Sequence, residues 1–401
     1  LQTVDGVNTL KKACDKAGAE LISLEVNPLD ACWSDRPEKP LADISPHGTE
    51  FSGKSSEAKR EEIGKEIGDR GTDAVVIATP ASIAWLLNIR GGDVSHTPLP
   101  LSRVILNSDG TADYFVDKRK LTDGIAAHLG NAVTIHEEDD FGRGLRDLGE
   151  AGKTVEADAA SAPAWVFEQL EAAGATTVRK GDPCTLPKAM KNEVEQEGAR
   201  NVHIRDGAAM TKFLRWLDVE APKGGEDEIS AAKQLEAFRK EDEGLRDISF
   251  TTISASGPNA AFPHYSVDVN SNRPLENGVI YLVDSGGQYP QGTTDITRTI
   301  IVGEPTDEMK DRFTRVLKGM ITLSRIRFPA GTTGGNLDVL ARAALWASGL
   351  DFDHGTGHGV GSYLSVHEGP ARFSKADSTK LEPGMILSNE PGYYKDGDFG
   401  I

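Results

Sequence analysis

Apolar and polar positions in the first half of the chain alternate between strand-like and helix-like spacing. The pattern predicts helices at 7–17, 59–68, 82–88 and 163–173, and strands at 20–26, 74–78, 103–107, 114–116, 154–158 and 176–178. Strands interleaved with helices indicate an α/β domain whose sheet is mixed or mostly parallel.

The second half has longer periodic stretches. Helices are predicted at 188–219, 226–243, 307–326 and 337–348, and strands at 279–284 and 295–302. The Pro-Lys-Gly-Gly segment at 222–225 separates the first two helices. Acidic residues follow it at 226–228, where the dipole of a beginning helix favours negative charge.

A chain of 401 residues is too long for a single hydrophobic core. We expect residues 1–48 to be the C-terminal remnant of a first N-terminal α/β domain, because they contain too few elements for a domain of their own. Residues 49–187 are predicted to form a second α/β domain, and residues 188–401 a third domain.

Charge and composition limit the possible partners. The chain has 44 basic and 62 acidic residues, a net charge of −18, which disfavours a nucleic-acid partner. Its three cysteines, Cys14, Cys32 and Cys184, are too scattered to indicate a disulfide framework or a thiolate zinc site. No apolar run approaches the roughly 20 residues that span a bilayer. We therefore expect a cytoplasmic protein without a membrane partner.

Two aspartates stand at the ends of consecutive predicted strands. Asp284 closes the apolar run 279–284, and Asp295 opens the alternating run 295–302 after a Gly- and Pro-rich turn. A hairpin would bring the carboxylates together, where they repel each other unless a cation lies between them. Mn²⁺, Mg²⁺, Co²⁺ or Zn²⁺ would suit oxygen ligands, although such a pair taken alone is more often two solvated turn residues.

The aspartates are followed by imidazoles and a further carboxylate. His354 and His358 are separated only by Gly-Thr-Gly, which favours a tight loop in which one imidazole reaches a metal and the other a substrate. His264 and His367 also lie in Gly- or Pro-flanked segments, and Glu390 follows a strand-like run at 385–388. The ordered series predicts a two-metal hydrolase.

The chemistry of such a site is hydrolysis without a covalent enzyme intermediate. Two metal ions roughly 3.5–4 Å apart share a water, lower its pKa and polarise a carbonyl group. A glutamate can take the proton, and histidines can donate hydrogen bonds to the developing oxyanion. No Gly-x-Ser-x-Gly element indicates a serine hydrolase, and the Thr-Gly segment at 332–335 lacks the lysine of a phosphate-binding loop.

Eight motifs spread along the chain resemble one known family. They are WSDRP at 33–37, IAWLLNIRG at 83–91, PKGG at 222–225, GPN at 257–259 with HY at 264–265, DSG at 284–286, TTDITRT at 293–299, HGTGHGVG at 354–361 and NEPGYY at 389–394. The family is that of the pita-bread metallopeptidases, which includes prolidase, methionine aminopeptidase and aminopeptidase P. The three-domain, cytosolic type of Xaa-Pro aminopeptidase is the most similar.

The resemblance implies an α/β (α+β) fold with a pita-bread catalytic domain at 188–401, preceded by creatinase-N-like α/β domains. It implies metal ligands at Asp284, Asp295, His358 and Glu390, with Asp295 bridging the ions. It implies that His264, His354 and His367 bind substrate and stabilise the tetrahedral intermediate. The expected cofactor is two divalent ions, usually Mn²⁺ with Co²⁺ or Zn²⁺ as alternatives. The expected substrates are peptides with proline at the second position, and the expected assembly is a homodimer.

One departure from the family concerns a fifth ligand. The resemblance implies a glutamate a few positions beyond Ile401 that bridges the metals and acts as the candidate base. We therefore expect the 401 residues to be part of a polypeptide that is longer at both ends, with the catalytic domain truncated at its C-terminus.

Two other functions remain open. An Xaa-Pro dipeptidase (prolidase) would use the same ligands, although the additional domain at 49–187 favours the aminopeptidase. A catalytically inactive pita-bread module that binds peptides or proteins would not need four ligands and three histidines. A creatine-type amidinohydrolase ranks last, because it is not expected to keep the Asp-Asp-His-Glu set.

Overall fold

The computed structural model describes residues 2–24 and 26–401, which form two compact units. The N-terminal unit comprises the described residues up to 48, together with 54–94 and 99–185. The C-terminal unit comprises Thr49–Gly53, Ser95–Pro98 and Leu186–Ile401. Among the described residues, no helix combines the length and the apolar character needed to cross a bilayer.

Helices and strands are interspersed along the chain. The α-helices are α1 Val4–Ala17, α2 Pro28–Cys32, α3 Thr49–Ser52, α4 Ser56–Asp69, α5 Pro80–Leu87, α6 Ile125–Leu129, α7 Phe141–Glu150, α8 Ala164–Ala173, α9 Thr185–Ala189, α10 Glu193–Glu220, α11 Glu228–Arg239, α12 Asp307–Arg325 and α13 Gly334–Trp346. The strands are β1 Ser45–Pro46, β2 Ala74–Ile77, β3 Ile89–Arg90, β4 Arg103–Asn107, β5 Ala112–Phe115, β6 Val133–His136, β7 Thr154–Ala157, β8 Thr176–Arg179, β9 Asp247–Ile248, β10 Ile253–Ser256, β11 Val279–Ser285, β12 Gly287–Tyr289, β13 Gly292–Thr293, β14 Ile296–Val302, β15 Gly357–Gly359, β16 Glu368–Phe373, β17 Tyr394–Lys395 and β18 Phe399–Gly400.

The N-terminal unit is built on a six-stranded sheet in the order β6-β5-β4-β2-β7-β8. Strand β2 is antiparallel to β4 and parallel to β7, so the predicted mixed sheet is confirmed. Side chains from α1, α7 and α8 share one apolar core with this sheet, among them Val4, Leu145 and Phe167. The separate first domain ending at residue 48 stays a prediction.

The strand predicted at 20–26 is wrong over residues 20–24, which have no regular secondary structure, and residue 25 lies outside the described residues. The apolar side chains of this segment are largely exposed, with Ile22 at 69% and Leu24 at 64%. Without a neighbouring strand to accept its backbone hydrogen bonds, an apolar alternation does not form a strand.

The C-terminal unit contains an antiparallel sheet, β10-β11-β14, whose two faces are covered by helices. Successive side chains of a strand point to opposite faces. Tyr281 and Val283 of β11 accordingly pack with residues of α10 and α11, and Ile280 packs with residues of α12 and α13. Shorter strand pairs, β15–β16 and β17–β18, lie later in the same unit.

The long helix α10 begins at Glu193, later than the predicted residue 188. Asn192 is the reason, because its side chain accepts hydrogen bonds from the backbone of Val194 and Glu195, and the Glu195 side chain accepts from the backbone of Asn192. This reciprocal capping box satisfies amide groups that a helix start leaves unpaired. Residues 190–192 are therefore outside the helix.

Candidate metal centre

The predicted antiparallel pairing beside the two aspartates is confirmed, but the connection is not a simple hairpin, because the short strands β12 and β13 lie between the paired strands in the chain. Strands β11 and β14 are directly paired, with Asp284 opposite Thr297 and Ser285 opposite Ile296, so Asp295 comes immediately before the paired segment of β14. Burial raises the pKa of Asp284 to about 7, and the negative charges of Asp295 and Glu390 add to the effect. The Oδ1 atom of Asp284 is buried and has no hydrogen-bond partner among the described residues.

His358 of β15 points one ring nitrogen at two carboxylates. Its Nε2 atom is 3.3 Å from Asp295 Oδ2 and 3.1 Å from Glu390 Oε1. Burial lowers the pKa of His358, but hydrogen bonds to Asp295 and Glu390 outweigh it and raise the pKa to about 10. Nδ1 lies 2.8 Å from the Gly359 carbonyl oxygen. When Nδ1–H donates to that carbonyl, Nε2 can present its lone pair to a metal.

Glu390 is held by the backbone and by a neighbouring hydroxyl group. Its amide donates to the Thr356 carbonyl at 2.8 Å, and the Ser388 hydroxyl donates to its Oε1 atom. The Ser388 oxygen in turn accepts the His358 amide at 2.9 Å. Burial alone would raise the pKa of Glu390, but the hydrogen bonds from His358 and Ser388 outweigh it and lower that pKa. Ser388 therefore connects two of the residues predicted as ligands.

These residues fit a divalent cation. Candidate ligand atoms of Asp295, His358 and Glu390 all lie within 4.8 Å of one another, and Asp284 adds an unpartnered buried oxygen. Carboxylates this close repel each other, and a cation between them removes the repulsion. Carboxylate oxygens with one imidazole suit Mn²⁺, Co²⁺ or Zn²⁺.

His354 lies in the loop before β15 and is held at both ring nitrogens. Nε2 is 2.8 Å from the Tyr394 hydroxyl, and Nδ1 is 2.8 Å from the Gly355 carbonyl oxygen. The Phe352 ring lies against it, with centroids 4.9 Å apart. The plane of this imidazole is therefore set by contacts within the C-terminal unit.

The structure also brings His367 to the centre. Its ring meets that of His358 edge to face, with centroids 4.2 Å apart. Burial lowers the pKa of His367, and the neighbouring His358 lowers it further, which together outweigh the opposite effect of Asp295 and Glu390. His264 is exposed, and its part in the centre stays a prediction.

A buried ion triad lies next to His367. Glu368 is buried; its carboxylate forms an ion pair with Lys188 at 2.9 Å and accepts a hydrogen bond from Lys191. Both lysines are almost entirely buried, and they belong to the segment that precedes α10. Lys191 also donates its amide to the Gly384 carbonyl at 3.0 Å. This segment thus packs against the strand that follows His367.

Two residues at the centre were missed by sequence reasoning. Ser388 and Tyr394 act through hydrogen bonds to side chains that are two and forty positions away in the chain. The SNEP and GYY strings at 388–391 and 392–394 mark the segment. Only the folded structure shows which of their hydroxyl groups face Glu390 and His354.

The fold and the donor set define a metal-dependent hydrolase centre, whose residues lie on strands β11 and β15 and on neighbouring loops of the C-terminal unit. The chain belongs to metallopeptidase family M24, whose model matches residues 197–401. The model of the Creatinase/Prolidase N-terminal domain matches residues 35–195. The predicted fold class, a pita-bread domain preceded by a creatinase-N-like α/β domain, is confirmed.

Individual relatives agree with this assignment. A probable Xaa-Pro aminopeptidase P from Paracoccidioides brasiliensis is 39% identical over 417 aligned residues, covering 100% of this chain and 68% of the relative. The X-prolyl aminopeptidase of Caenorhabditis elegans, described as a cytosolic enzyme with a di-nuclear active site, superposes with a TM-score of 0.93 at 34% identity. That match covers 100% of this chain and 66% of the nematode protein.

A dipeptidase is a more distant structural match. The Xaa-Pro dipeptidase of Bacillus anthracis gives a TM-score of 0.71 at 25% identity, with 86% of this chain and 92% of that protein covered. The chain thus spans about two thirds of the length of the aminopeptidases that it matches.

Proposed function

We propose that this protein is a metal-dependent aminopeptidase that hydrolyses the bond between the first residue of a peptide and a proline at the second position. The observation that carries the proposal is the convergence of Asp295, His358 and Glu390 beside the buried oxygen of Asp284. Relatives named Xaa-Pro aminopeptidase P support it, because they align with the whole chain at about 40% identity.

We assign Asp284, Asp295, His358 and Glu390 as the residues that would hold two divalent ions. Manganese is our choice of metal, with cobalt or zinc as alternatives. Ions bound there would supply an activated water and polarise the scissile carbonyl group. The di-nuclear site described for the C. elegans enzyme supports a pair of ions.

Neighbouring groups orient the side chains that we propose as metal ligands. The Ser388 hydroxyl donates to one oxygen of Glu390, and the Gly359 carbonyl can accept a hydrogen bond from Nδ1–H of His358, which leaves Nε2 as the atom that would bind a metal. Such outer contacts keep ligands in place before the metal arrives. They also reduce the rearrangement that binding requires.

The three candidate histidines that are not proposed as metal ligands would bind the peptide. His354 is held between Tyr394 and Gly355, and burial raises the pKa of Tyr394 so that its hydroxyl keeps its proton. We propose that His264, His354 and His367 contact the substrate and the negative oxygen that develops during hydrolysis. Preorganised donors of this kind are the largest single contribution in many hydrolases.

The test is cleavage of Ala-Pro-Phe by the full-length protein, beside the dipeptide Ala-Pro and the control tripeptide Ala-Ala-Phe, with EDTA or with added Mn²⁺. We expect metal-dependent release of alanine from Ala-Pro-Phe alone. Cleavage of Ala-Pro without the tripeptide would make the protein a dipeptidase. Tight Mn²⁺ binding without any cleavage would favour a peptide-binding module.

We further propose that the protein is a homodimer in the cytoplasm, as the resemblance implies. The C. elegans relative is described as cytosolic, which supports the compartment. Light scattering coupled to size-exclusion chromatography of the full-length protein tests the dimer, and a monomeric mass at micromolar concentration would contradict it.

A further inference from the structure

Arg342 of α13 reaches out of its helix to the loop that carries His354. One guanidinium nitrogen, Nη1, donates to the Phe352 carbonyl at 2.6 Å and to Asp351 at 2.8 Å. Nη2 donates to the carbonyl of His354 itself at 2.7 Å. The guanidinium carbon also lies 3.8 Å from the centroid of the Phe352 ring, and this ring packs on His354.

Asp338, one turn before Arg342, connects α13 to the proposed metal ligands. It accepts from Arg342 Nε at 2.7 Å, and its other oxygen accepts the hydroxyl of Thr356. Thr356 is fully buried, and its carbonyl accepts the amide of Glu390. Two positions later the chain reaches His358.

We propose that Asp338 and Arg342 are positioning residues for the centre: together they fix the 352–358 loop so that His354, His358 and Glu390 keep their places relative to one another. None of the groups in this network needs to touch the substrate. The inference rests on the proposed function, because it assigns these residues a part in the same reaction.

The physical argument begins with the cost of burial. A buried ion pair is weak evidence for stability, because desolvation offsets the attraction between the charges. Arg342 and Asp338 are both about 2% exposed or less, and Arg342 directs most of its donors at loop carbonyls and a loop carboxylate. The planar guanidinium group of an arginine can bind several acceptors in a fixed geometry, which the ammonium group of a lysine cannot do. Fixed geometry of the loop is therefore the main result of this pair.

The test compares kinetic constants of four variants of the full-length protein. Arg342→Lys keeps the charge and loses the fork. Thr356→Val keeps the shape and loses the hydroxyl group, so it tests the network even if the arginine variant folds poorly. Thr356→Ser restores the hydroxyl group. Arg315→Lys is the matched control, because Arg315 also donates to a carboxylate and to an α13 carbonyl, that of Ala344, but not to the loop.

We expect Arg342→Lys and Thr356→Val to lower kcat for Ala-Pro-Phe by about 10- to 100-fold, as loss of such outer contacts does elsewhere. KM should change by a smaller factor than kcat, because the altered groups do not touch the peptide and act on it only through the position of His354. The kcat of Arg315→Lys should equal that of the wild type. Thr356→Ser should have at least about a third of the wild-type kcat. A purely structural role would lower the melting temperature and leave kcat of the folded enzyme unchanged, and that result would overturn the inference.

A second measurement separates this inference from the proposed function. If the wild type cleaves no peptide, the proposed function fails, and the dissociation constant for Mn²⁺ alone, measured by calorimetry, decides the inference. Binding that is about 10-fold or more weaker in Thr356→Val than in Thr356→Ser would support it. Equal binding by the two variants would overturn it.

Discussion

His47 shows at the level of one residue how surroundings suppress a charge. The residue is 4% exposed in the N-terminal unit. Burial lowers its pKa to about 2, and the positive charges of Arg90, Lys59 and His128 act in the same direction. The imidazole is therefore neutral in the folded protein throughout the physiological pH range.

This depressed pKa predicts a loss of stability in acid. Below the ordinary histidine pKa of about 6.5, the unfolded chain takes up a proton that the folded chain refuses, so the free energy of unfolding falls as the pH falls. Between pH 7.5 and 5 the loss is about 2 kcal/mol. Urea unfolding of His47→Gln at both pH values should show a smaller decrease than the wild type. An equal decrease in the free energy of unfolding of the two proteins would contradict a depressed pKa of His47.

Asp284 is a residue whose buried carboxylate lowers the stability of the metal-free protein and is proposed to bind the metal. Its carboxylate is buried beside two others without a partner for Oδ1. We expect Asp284→Asn to weaken Mn²⁺ binding by at least about 10-fold. The metal-free protein should not lose stability, because the repulsion is relieved. Calorimetric titration and thermal unfolding measure the two effects, with exposed Glu276→Gln as the control. A metal-free variant less stable than the wild type would count against a repulsive site.

At the level of elements, helices α12 and α13 approach each other through a glycine. A Cβ atom on Gly319 would lie 2.1 Å from the Ala341 carbonyl oxygen, so no other residue fits without separating the helices. Because α13 carries Asp338 and Arg342, this close contact also helps to set the helix that holds the active loop.

Gly319→Ala should therefore destabilise the C-terminal unit by about 1–3 kcal/mol, which is the usual range for overpacking. Gly207 of α10 is the matched control, since a Cβ there meets nothing within 4 Å. Gly207→Ala should stabilise its helix by about 0.5–1 kcal/mol, because alanine has the higher helix propensity. Thermal unfolding of both variants measures these changes, and a neutral Gly319→Ala would show that the helices can move apart.

Sequence patterns predicted some elements well and others not at all, for a physical reason. Strand β11 and helix α12 follow clear apolar periods. Helix α7 was missed, because glycines are frequent in it and have low helix propensity. Its glycines allow close packing instead, since a Cβ on Gly144 would lie 2.7 Å from Phe115, and one on Gly149 would lie 2.4 Å from Ala173.

The residues of the candidate metal centre also differ in how well the sequence predicted them. Residue types and spacing indicated Asp284, Asp295, His358 and Glu390 as candidates, because metal ligands are a small set of side chains among turn-forming glycines. The supporting residues could not be predicted, since Ser, Thr, Arg and Tyr occur everywhere. Arg342 acquires its importance only from the carbonyl groups that the fold brings to it.

At the level of the whole molecule, the C-terminal unit repeats one arrangement. In four of the segments that carry candidate site residues, a buried carboxylate lies beside the site residue or accepts a hydrogen bond from a residue close to it in the chain. Asp206 accepts from Thr294, next to Asp295; Glu228 accepts from Tyr265, next to His264; Asp338 accepts from Thr356, near His358; and Glu368 is next to His367. Buried polar groups that are hydrogen-bonded make a structure more rigid.

All the candidate ligands belong to the C-terminal unit, which predicts where metal binding stabilises the protein. A ligand that binds only the folded state increases stability according to its concentration and affinity. Hydrogen exchange measured by mass spectrometry should show increased protection after Mn²⁺ addition in peptides from 253–302 and 352–401. Peptides from the six-stranded sheet of the N-terminal unit should change little. Equal protection in both regions would contradict a centre confined to one unit.

The triad of Lys188, Lys191 and Glu368 bears on how this protein can be recombined with its relatives. The two family matches meet between residues 195 and 197, which suggests an obvious crossover point for chimaeras. A crossover there would take both lysines from a foreign parent and risk stranding Glu368, at a cost of about 3–5 kcal/mol for a buried charge without its partners. A junction placed before Leu186 would inherit the triad from one parent, so the engineering boundary differs from the one that homology draws.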